Sequence, residues 1–277
     1  MKKFLPLLFI LLLSSPMLRA QIPVDEAKLR FGGRTGLEID RKVNKHWQVQ
    51  GDMEIRGAGK MVFDERLLIG IGTRYDIDKH YSVAARYRFI EKRAYRTDLS
   101  SRHRFSLQAT GGWKAGSWRF SAREELRLQH RPGTMDPFKH PRNEVFLLTR
   151  AQAGYKINRY VAPFLRAEGR FLLNGPRIDG YAYQTDILRY TTPEGNLSGA
   201  EGWFFSGYRH TYLNRIRIEA GADFRTLLLH DTIRLYMLAD RTQDFHVKTN
   251  EDATSLTGLW WEQGWLIGFG LRYSFKL

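Results

Sequence analysis

Between His46 and Arg56 the chain alternates without a break. Trp47, Val49, Gly51, Met53 and Ile55 are apolar or small, whereas His46, Gln48, Gln50, Asp52, Glu54 and Arg56 are polar. Successive side chains of a β-strand point to opposite faces, so this segment predicts a strand with one apolar and one polar face. The pattern recurs along the chain. Leu67, Ile69, Ile71, Thr73 and Tyr75 oppose Arg66, Leu68, Gly70, Gly72 and Arg74, and Tyr81, Val83, Ala85, Tyr87 and Phe89 oppose Ser82, Ala84, Arg86 and Arg88. Phe105, Leu107, Ala109 and Trp113 oppose Arg102, Arg104, Ser106 and Gln108. Further ladders run over Trp118–Leu128, Val145–Ile157, Val161–Leu173, Tyr212–Phe224, Ile233–Ala239 and Trp265–Leu277. A helical period of comparable length occurs nowhere beyond the first twenty residues, so the expected fold class is all-β.

Alternation alone also suits a soluble sandwich, in which the apolar faces of two sheets meet. Two features favour a barrel in a membrane. The ladders reach about 10–15 residues, whereas soluble strands usually have about 5–6 and a tilted bilayer-spanning strand needs about 9–11. The polar phase is also dominated by arginine, at Arg66, Arg74, Arg86, Arg88, Arg104, Arg119, Arg123, Arg150, Arg166, Arg170, Arg215, Arg217 and Arg272. Glu125, Glu168 and Glu219 fall in the same phase and are expected to pair with them. Together these residues are the predicted lining of a barrel interior, with an apolar band outside. The mean hydropathy of −0.44 then needs no soluble protein, because half of every spanning strand is polar.

Residues 1–20 carry Lys2 and Lys3, an apolar run from Phe4 to Leu13, and Ser14-Ser15-Pro16 before Ala20. This is the layout of a secretory signal peptide, which leaves residues 21–277 as one barrel domain. Export argues against nucleic acid as the partner behind a net charge of +15. The absence of cysteine excludes disulfides and thiolate chemistry.

The connections alternate between tight and long. Asp76–Lys79, Lys114–Ser117, Asn158-Arg159 and the stretch at His230-Asp231 read as short turns. Glu91–Ser101, Arg131–Pro141, Asn174–Gly207 and Asp244–Glu262 read as longer polar links. Outer-membrane barrels alternate periplasmic turns and external loops in this way. Trp47, Trp113, Trp118, Tyr155, Tyr160, Trp260, Trp261 and Trp265 lie near ladder ends, where interfacial girdles belong.

The ladders number about eleven, and the even strand counts of bacterial single-chain barrels point to twelve, or else to ten. Twelve follows from a break at Gly32-Gly33 or from a strand within Tyr181–Tyr190. Against the break, Ala27, Leu29, Phe31, Thr35, Leu37 and Ile39 share one phase. Glu124 falls on the apolar phase between Ala122 and Leu126, which predicts a bulge at Glu124-Glu125, or a slightly different register, in preference to a carboxylate in lipid.

The last ladder alternates through Tyr273, Phe275 and Leu277 to the final residue. It resembles the β-signal of bacterial outer-membrane proteins, which implies the barrel assembly machinery as a partner. Leu277 stands where that signal usually has Phe. Gly36-Leu37-Glu38-Ile39-Asp40 followed by Trp47-Gln48-Val49, the hairpin at Arg74-Tyr75-Asp76-Ile77, Arg102-His103-Arg104-Phe105 and Gly270-Leu271-Arg272-Tyr273-Ser274-Phe275 carry a wider likeness. The chain resembles an uncharacterised Bacteroidota outer-membrane β-barrel family catalogued as domain of unknown function 2490. That resemblance implies the outer membrane as location, with lipid around the barrel. It brings no activity, ligand or catalytic residue.

Enzymatic signatures are missing. Outer-membrane lipid hydrolases place His and Ser two residues apart, but Tyr212 follows His210 at that spacing, and His-x-Ser occurs nowhere. His210 and Tyr212 then read as interfacial residues at a strand end. No cofactor or metal is expected. The expected function is a filled structural or surface-binding barrel, with recognition on the external links. A small anion-preferring pore is the alternative, and a lipid hydrolase a more distant one.

Overall fold

The computed structural model describes residues 27–58, 61–93, 99–132, 141–180, 203–226, 231–249 and 256–276. Eleven strands make it up: β1 (Lys28–Lys42), β2 (Trp47–Ala58), β3 (Met61–Asp76), β4 (Tyr81–Arg93), β5 (Leu99–Ala115), β6 (Trp118–His130), β7 (Asn143–Tyr155), β8 (Val161–Gly180), β9 (Trp203–Arg225), β10 (Thr232–Thr249) and β11 (Leu256–Lys276). Each pairs antiparallel with its sequence neighbours, and β1 pairs with β11 to close a barrel. With eleven strands the closing pair must be parallel, and it runs in unbroken register from Lys28↔Gly264 to Asp40↔Lys276.

The count of eleven corrects the expected twelve and the fallback of ten. No break occurs at Gly32-Gly33, because β1 continues through both glycines in one register with β2 and β11. The shared phase of Leu29 to Ile39 was the truer indication. The strand sought within Tyr181–Tyr190 lies outside the described residues. An even count is therefore not forced by the alternation, since a parallel seam can still match apolar face to apolar face. Leu29↔Trp265, Phe31↔Ile267 and Thr35↔Leu271 do so here.

The barrel is inverted relative to a soluble protein. Phe31, Leu107, Ile71 and Met237 are more than half exposed on its outer face, while Asp52, Glu168, Arg217 and Asp240 are buried within it. Soluble monomers rarely show contiguous apolar surface beyond a few hundred Å²; here such residues ring the barrel. At the short-turn rim Trp47 packs on Tyr75 with ring centroids 5.0 Å apart, and Trp118 on Tyr155 at 5.1 Å. Tyr81 meets Trp113 edge-on at 6.3 Å. These rings cluster at that end, as the sequence reading placed Trp47, Trp113, Trp118 and Tyr155 near ladder ends.

Three short turns share one device. Asn44 Oδ1 accepts from the backbone N–H of His46 and Trp47, both at 2.9 Å. Asp78 Oδ1 does the same for His80 at 2.6 Å and Tyr81 at 2.7 Å, and Asn158 Oδ1 for Tyr160 at 2.8 Å and Val161 at 2.9 Å. A short side-chain acceptor thereby replaces the missing ladder bond and fixes the reversal. The two donated bonds hold the Asp78 carboxyl below its usual value. Between β5 and β6 the turn instead uses Gly116 at φ +59°, a region that L side chains avoid.

The long links are shorter than the sequence suggests. β10 and β11 stay paired out to Thr249↔Leu256, so most of Asp244–Glu262 is hairpin. β8 and β9 remain paired to Gly180↔Trp203 through four register shifts. Tyr181, Tyr183 and Tyr190 lie outside the described residues.

Glu124 overturns the expected bulge. β6 pairs with both neighbours without a register shift, giving Ala109↔Glu124 and Glu124↔Thr149. The carboxylate stands exposed on the outer face, where Thr149 Oγ1 donates to it at 2.8 Å. Its neighbour Glu125 is buried inside with Arg127. Local sequence placed Glu124 by phase correctly, and an unbroken ladder on both sides outweighed the cost of exposing it.

Candidate functional site in the barrel lumen

The inner faces converge on two adjoining cavities, one of about 280 Å³ and one of about 420 Å³. Sixteen arginines and six carboxylates line the smaller. Of the residues predicted to face inward, Arg66, Arg74, Arg86, Arg88, Arg104, Arg123, Glu125, Arg150, Arg166, Glu168, Arg170, Arg215, Arg217, Glu219 and Arg272 all border it. Arg119 does not. It sits one residue into β6, beside Lys114 and Gly154 at the turn rim. Arg34 and Arg56 also border the cavity but were not among the predicted lining residues. Their phase, shared with Gly36 and Glu38 on β1 and with Asp52 and Glu54 on β2, was the available indication.

Lateral register decides which charges meet. Across β6 to β10 one row reads Arg123, Arg150, Glu168, Arg217 and Asp240, each beside the next. From Glu168 onward the signs alternate, and the ion pairs follow. Glu168 accepts from Arg150 Nε at 2.9 Å and from Arg215. Asp240 accepts from Arg217 Nη2 at 2.5 Å and from Arg34 Nη2 at 3.3 Å, while Arg166 Nη1 donates to Glu219 Oε2 at 2.7 Å. Gln152 takes the remaining edge of Arg166 at 2.7 Å. These groups are deeply enclosed, with Glu168 and Arg217 side chains 2% and 6% exposed. Buried charge is tolerable only when paired and hydrogen-bonded; from Arg150 onward every charge here is ion-paired, and Arg215 Nε and Asp240 Oδ1 face each other at 3.5 Å without a hydrogen bond.

A second group joins β11, β1, β2 and β4. Arg272 Nη1 lies 3.2 Å from Glu38 and its Nη2 lies 3.7 Å from Glu54, while Glu54 also holds Arg56 at 2.6 Å. Asp52 on β2 reaches past β3 to Arg88 on β4 at 2.8 Å. Gly70 makes that reach possible. It stands between the two in register, and a Cβ there would meet Asp52 Oδ1 at 2.5 Å and Arg88 Cγ at 2.7 Å. Arg86 bridges the same strand by donating to Gln50 at 3.0 Å.

The wall of β1 to β5 near the long-link rim is different. Its register places Arg34, Arg56, Arg66 and Lys92 side by side across four strands, and Arg88 directly beside Arg104. Arg104 donates to the neutral Gln129 Oε1 at 2.7 Å, and its strongest charged neighbours are the guanidiniums of Arg127, Arg56, Arg88 and Arg170.

At the same rim Tyr212, Phe245 and Trp261 pack together, with Tyr212 and Phe245 at 5.0 and 4.9 Å from Trp261. His210 meets Tyr212 at a tilt and Trp261 edge-on. The reading of His210 and Tyr212 as interfacial residues is corrected for Tyr212, which is buried at 9% exposure and accepts a bond from Phe245 N at 3.4 Å. Trp261 likewise serves this cluster, because β10 and β11 extend as paired strands where a link was expected. On β11, Tyr273 and Phe275 of the predicted assembly signal pack ring to ring at 6.0 Å, and Leu277 lies outside the described residues.

Comparison with models of protein families, with curated proteins and with solved structures gives no match. What the chain does must therefore be argued from this geometry.

Proposed function

We propose that the protein is an outer-membrane β-barrel whose lumen is closed by its own side chains, serving as a structural or surface-binding element. The observation that carries this is the interior itself. Ion pairs cross between strands that are not sheet neighbours, such as Arg34 with Asp240 and Arg272 with Glu54, and their side chains are largely shielded. A water-filled channel would leave such groups hydrated. Outside, the apolar belt and the aromatic girdle match what lipid and its interface require. The signal peptide layout and the alternating C-terminal strand support export and recognition by the barrel assembly machinery. The residues also resemble the Bacteroidota family named above, which agrees with this placement.

Two experiments test it. Membrane fractionation with a heat-modifiable gel shift is expected to find a folded barrel in the outer membrane; a periplasmic product without a shift would end the reading. Planar-bilayer recording of the folded protein is expected to show no steady conductance. A second reading rests on the arginine excess around two cavities that share Arg34, Arg56 and Arg104. Reproducible anion-selective steps would favour that pore, since rings of arginine select anions.

A further inference from the structure

The eight histidines are scattered along the sequence, yet strand register sets two of them side by side. His103 on β5 and His130 on β6 are direct lateral partners at the long-link rim. Both are half-buried and share the outward phase, His103 with Phe105 and His130 with Leu128, whose side chains are exposed on the outer face. Side chains directly opposite one another in an antiparallel pair have Cβ atoms about 4.5–5.5 Å apart. The two imidazoles stand 6.3 Å apart at their centres and 40° from parallel. Each ring is held from its far side. Tyr87 Oη, on β4, lies 2.7 Å from His103 Nδ1, and the same imidazole stacks on Tyr87 and meets Phe89 at 5.7 Å. Asn143 Oδ1, on β7, lies 2.7 Å from His130 Nδ1. The amide oxygen can only accept, so His130 Nδ1 carries the proton and Nε2 keeps the lone pair. His103 reaches the same state by donating to the Tyr87 hydroxyl oxygen.

We propose that His103 and His130 bind one late first-row divalent metal ion, of the copper, nickel or zinc class, through Nε2 of each ring. Neutral imidazole is a ligand these ions favour. With metal–nitrogen bonds of about 2.0–2.1 Å, two rings on one ion stand up to about 6.4 Å apart at their centres. The observed spacing falls inside that limit, and small side-chain rotations close it to a bent geometry. A hydrogen bond from the other ring nitrogen orients a metal-ligating histidine and raises its basicity. Asn143 and Tyr87 occupy those positions here. Among the described residues no three histidine or carboxylate side chains converge, so the protein offers two nitrogens and leaves the remaining positions to water or an external ligand. Hard cations such as Ca²⁺ and Mg²⁺ need several oxygen donors, which this pair does not supply. The site depends on the register of β4 to β7 and on nothing about the barrel's surroundings.

The test uses the full mature chain, without a histidine tag, folded in non-ionic detergent, with the heat-modifiable shift read first on every preparation. Cu²⁺ is expected to bind saturably at one ion per barrel, with electron paramagnetic resonance showing coupling to two nitrogens. Zn²⁺ should compete for the site, while Ca²⁺ and Mg²⁺ should not. Asn143→Ala is expected to weaken half-saturation about tenfold, the usual cost of losing such a partner, and Asn143→Asp to tighten it. His103→Gln and, separately, His130→Gln should each weaken it further and reduce the coupling to one nitrogen. His80→Gln, at the short-turn rim, should change neither reading. Should a glutamine variant lose the shift, carbethoxylation of the folded parent is the second measurement: Zn²⁺ is expected to protect His103 and His130 together. A folded parent that takes up no Cu²⁺, or that couples it to a single nitrogen, would overturn the site. So would binding unchanged in both histidine variants, or modification of both rings under saturating Zn²⁺. Absence of the shift in the parent protein would sink the barrel reading and the site with it.

Discussion

The two walls of the lumen are built from the same residue on the same face, yet they balance it in opposite ways. From β7 to β10 a lateral row runs Arg150, Glu168, Arg217, Asp240, and each charge has an opposite neighbour. From β1 to β4 the corresponding row is Arg34, Arg56, Arg66, Lys92. The first wall is self-sufficient. The second sets like charges side by side, with Glu54 paired to Arg56 and Asp240 to Arg34. The difference lies in strand register, since the period along each strand is the same. A protein can thus build one wall whose lateral neighbours alternate in sign and one whose lateral neighbours repeat it, with a single alternating pattern.

Removing Glu168 should break the contrast most severely. Glu168→Ala strips a shared acceptor from Arg150 and Arg215, and breaking a buried pair in this way costs about 3–5 kcal/mol. A urea titration of the heat-modifiable shift should show a much lower midpoint, and an unchanged midpoint would mean that the wall is hydrated after all. The comparison also runs through the thickness of β6, where Glu125 faces Arg127 inside and Glu124 faces outward with Thr149. Glu124→Leu should raise stability in lipid vesicles by about 1–2 kcal/mol, somewhat below the cost of a cation at the bilayer centre. A loss of stability would place that face against something other than lipid.

Arg66→Glu converts the β1–β4 row toward alternation. It should stabilise the barrel by about 0.2–1 kcal/mol through cross-strand pairing. Destabilisation by the same change would show that register alone does not set the difference between the walls. The smallest effect belongs to a carboxylate on neither wall. Asp78 has its pKa lowered by the N–H groups of His80 and Tyr81, so its contribution is complete above the unfolded value of about 3.9. It is lost as pH falls through the folded value. Asp78→Asn keeps the acceptor oxygen and should remove this acid sensitivity of the turn, as read by amide exchange between about pH 5 and pH 2.5.

Much of this was legible in the alternation. Phase assigned Arg86, Glu168 and Arg217 to the interior and Leu107 and Ile71 to the exterior, because side-chain direction follows from strand geometry alone. Two of the three Asx-type turns, at Asp78 and Asn158, were visible as Asp or Asn between ladders. Partners were not legible. Whether Arg88 would lie beside Asp52 or Arg104 depends on how adjacent strands slide, and on a glycine at position 70 that lets one side chain cross a strand. The strand total failed for a related reason, since parity depends on how β1 and β11 meet and neither strand records that locally. Glu124 was read correctly by phase and then argued away by its cost. The extended hairpins at Asp244–Glu262 were hidden because polar residues beyond the apolar belt look alike in strand and loop.

The parallel seam between β1 and β11 has a further meaning for the topology of the chain. In an even-stranded barrel both chain ends emerge from the same rim. With eleven strands, Lys28 at the start of β1 and Lys276 at the end of β11 lie at opposite rims. If the barrel spans a membrane as proposed, an epitope placed ahead of β1 and one placed behind β11 would report from its opposite sides. A protease confined to one compartment should remove only one of them. A circularly permuted version would need a linker long enough to traverse the barrel's full height, so this wall can be opened at any hairpin but not resealed across its own seam.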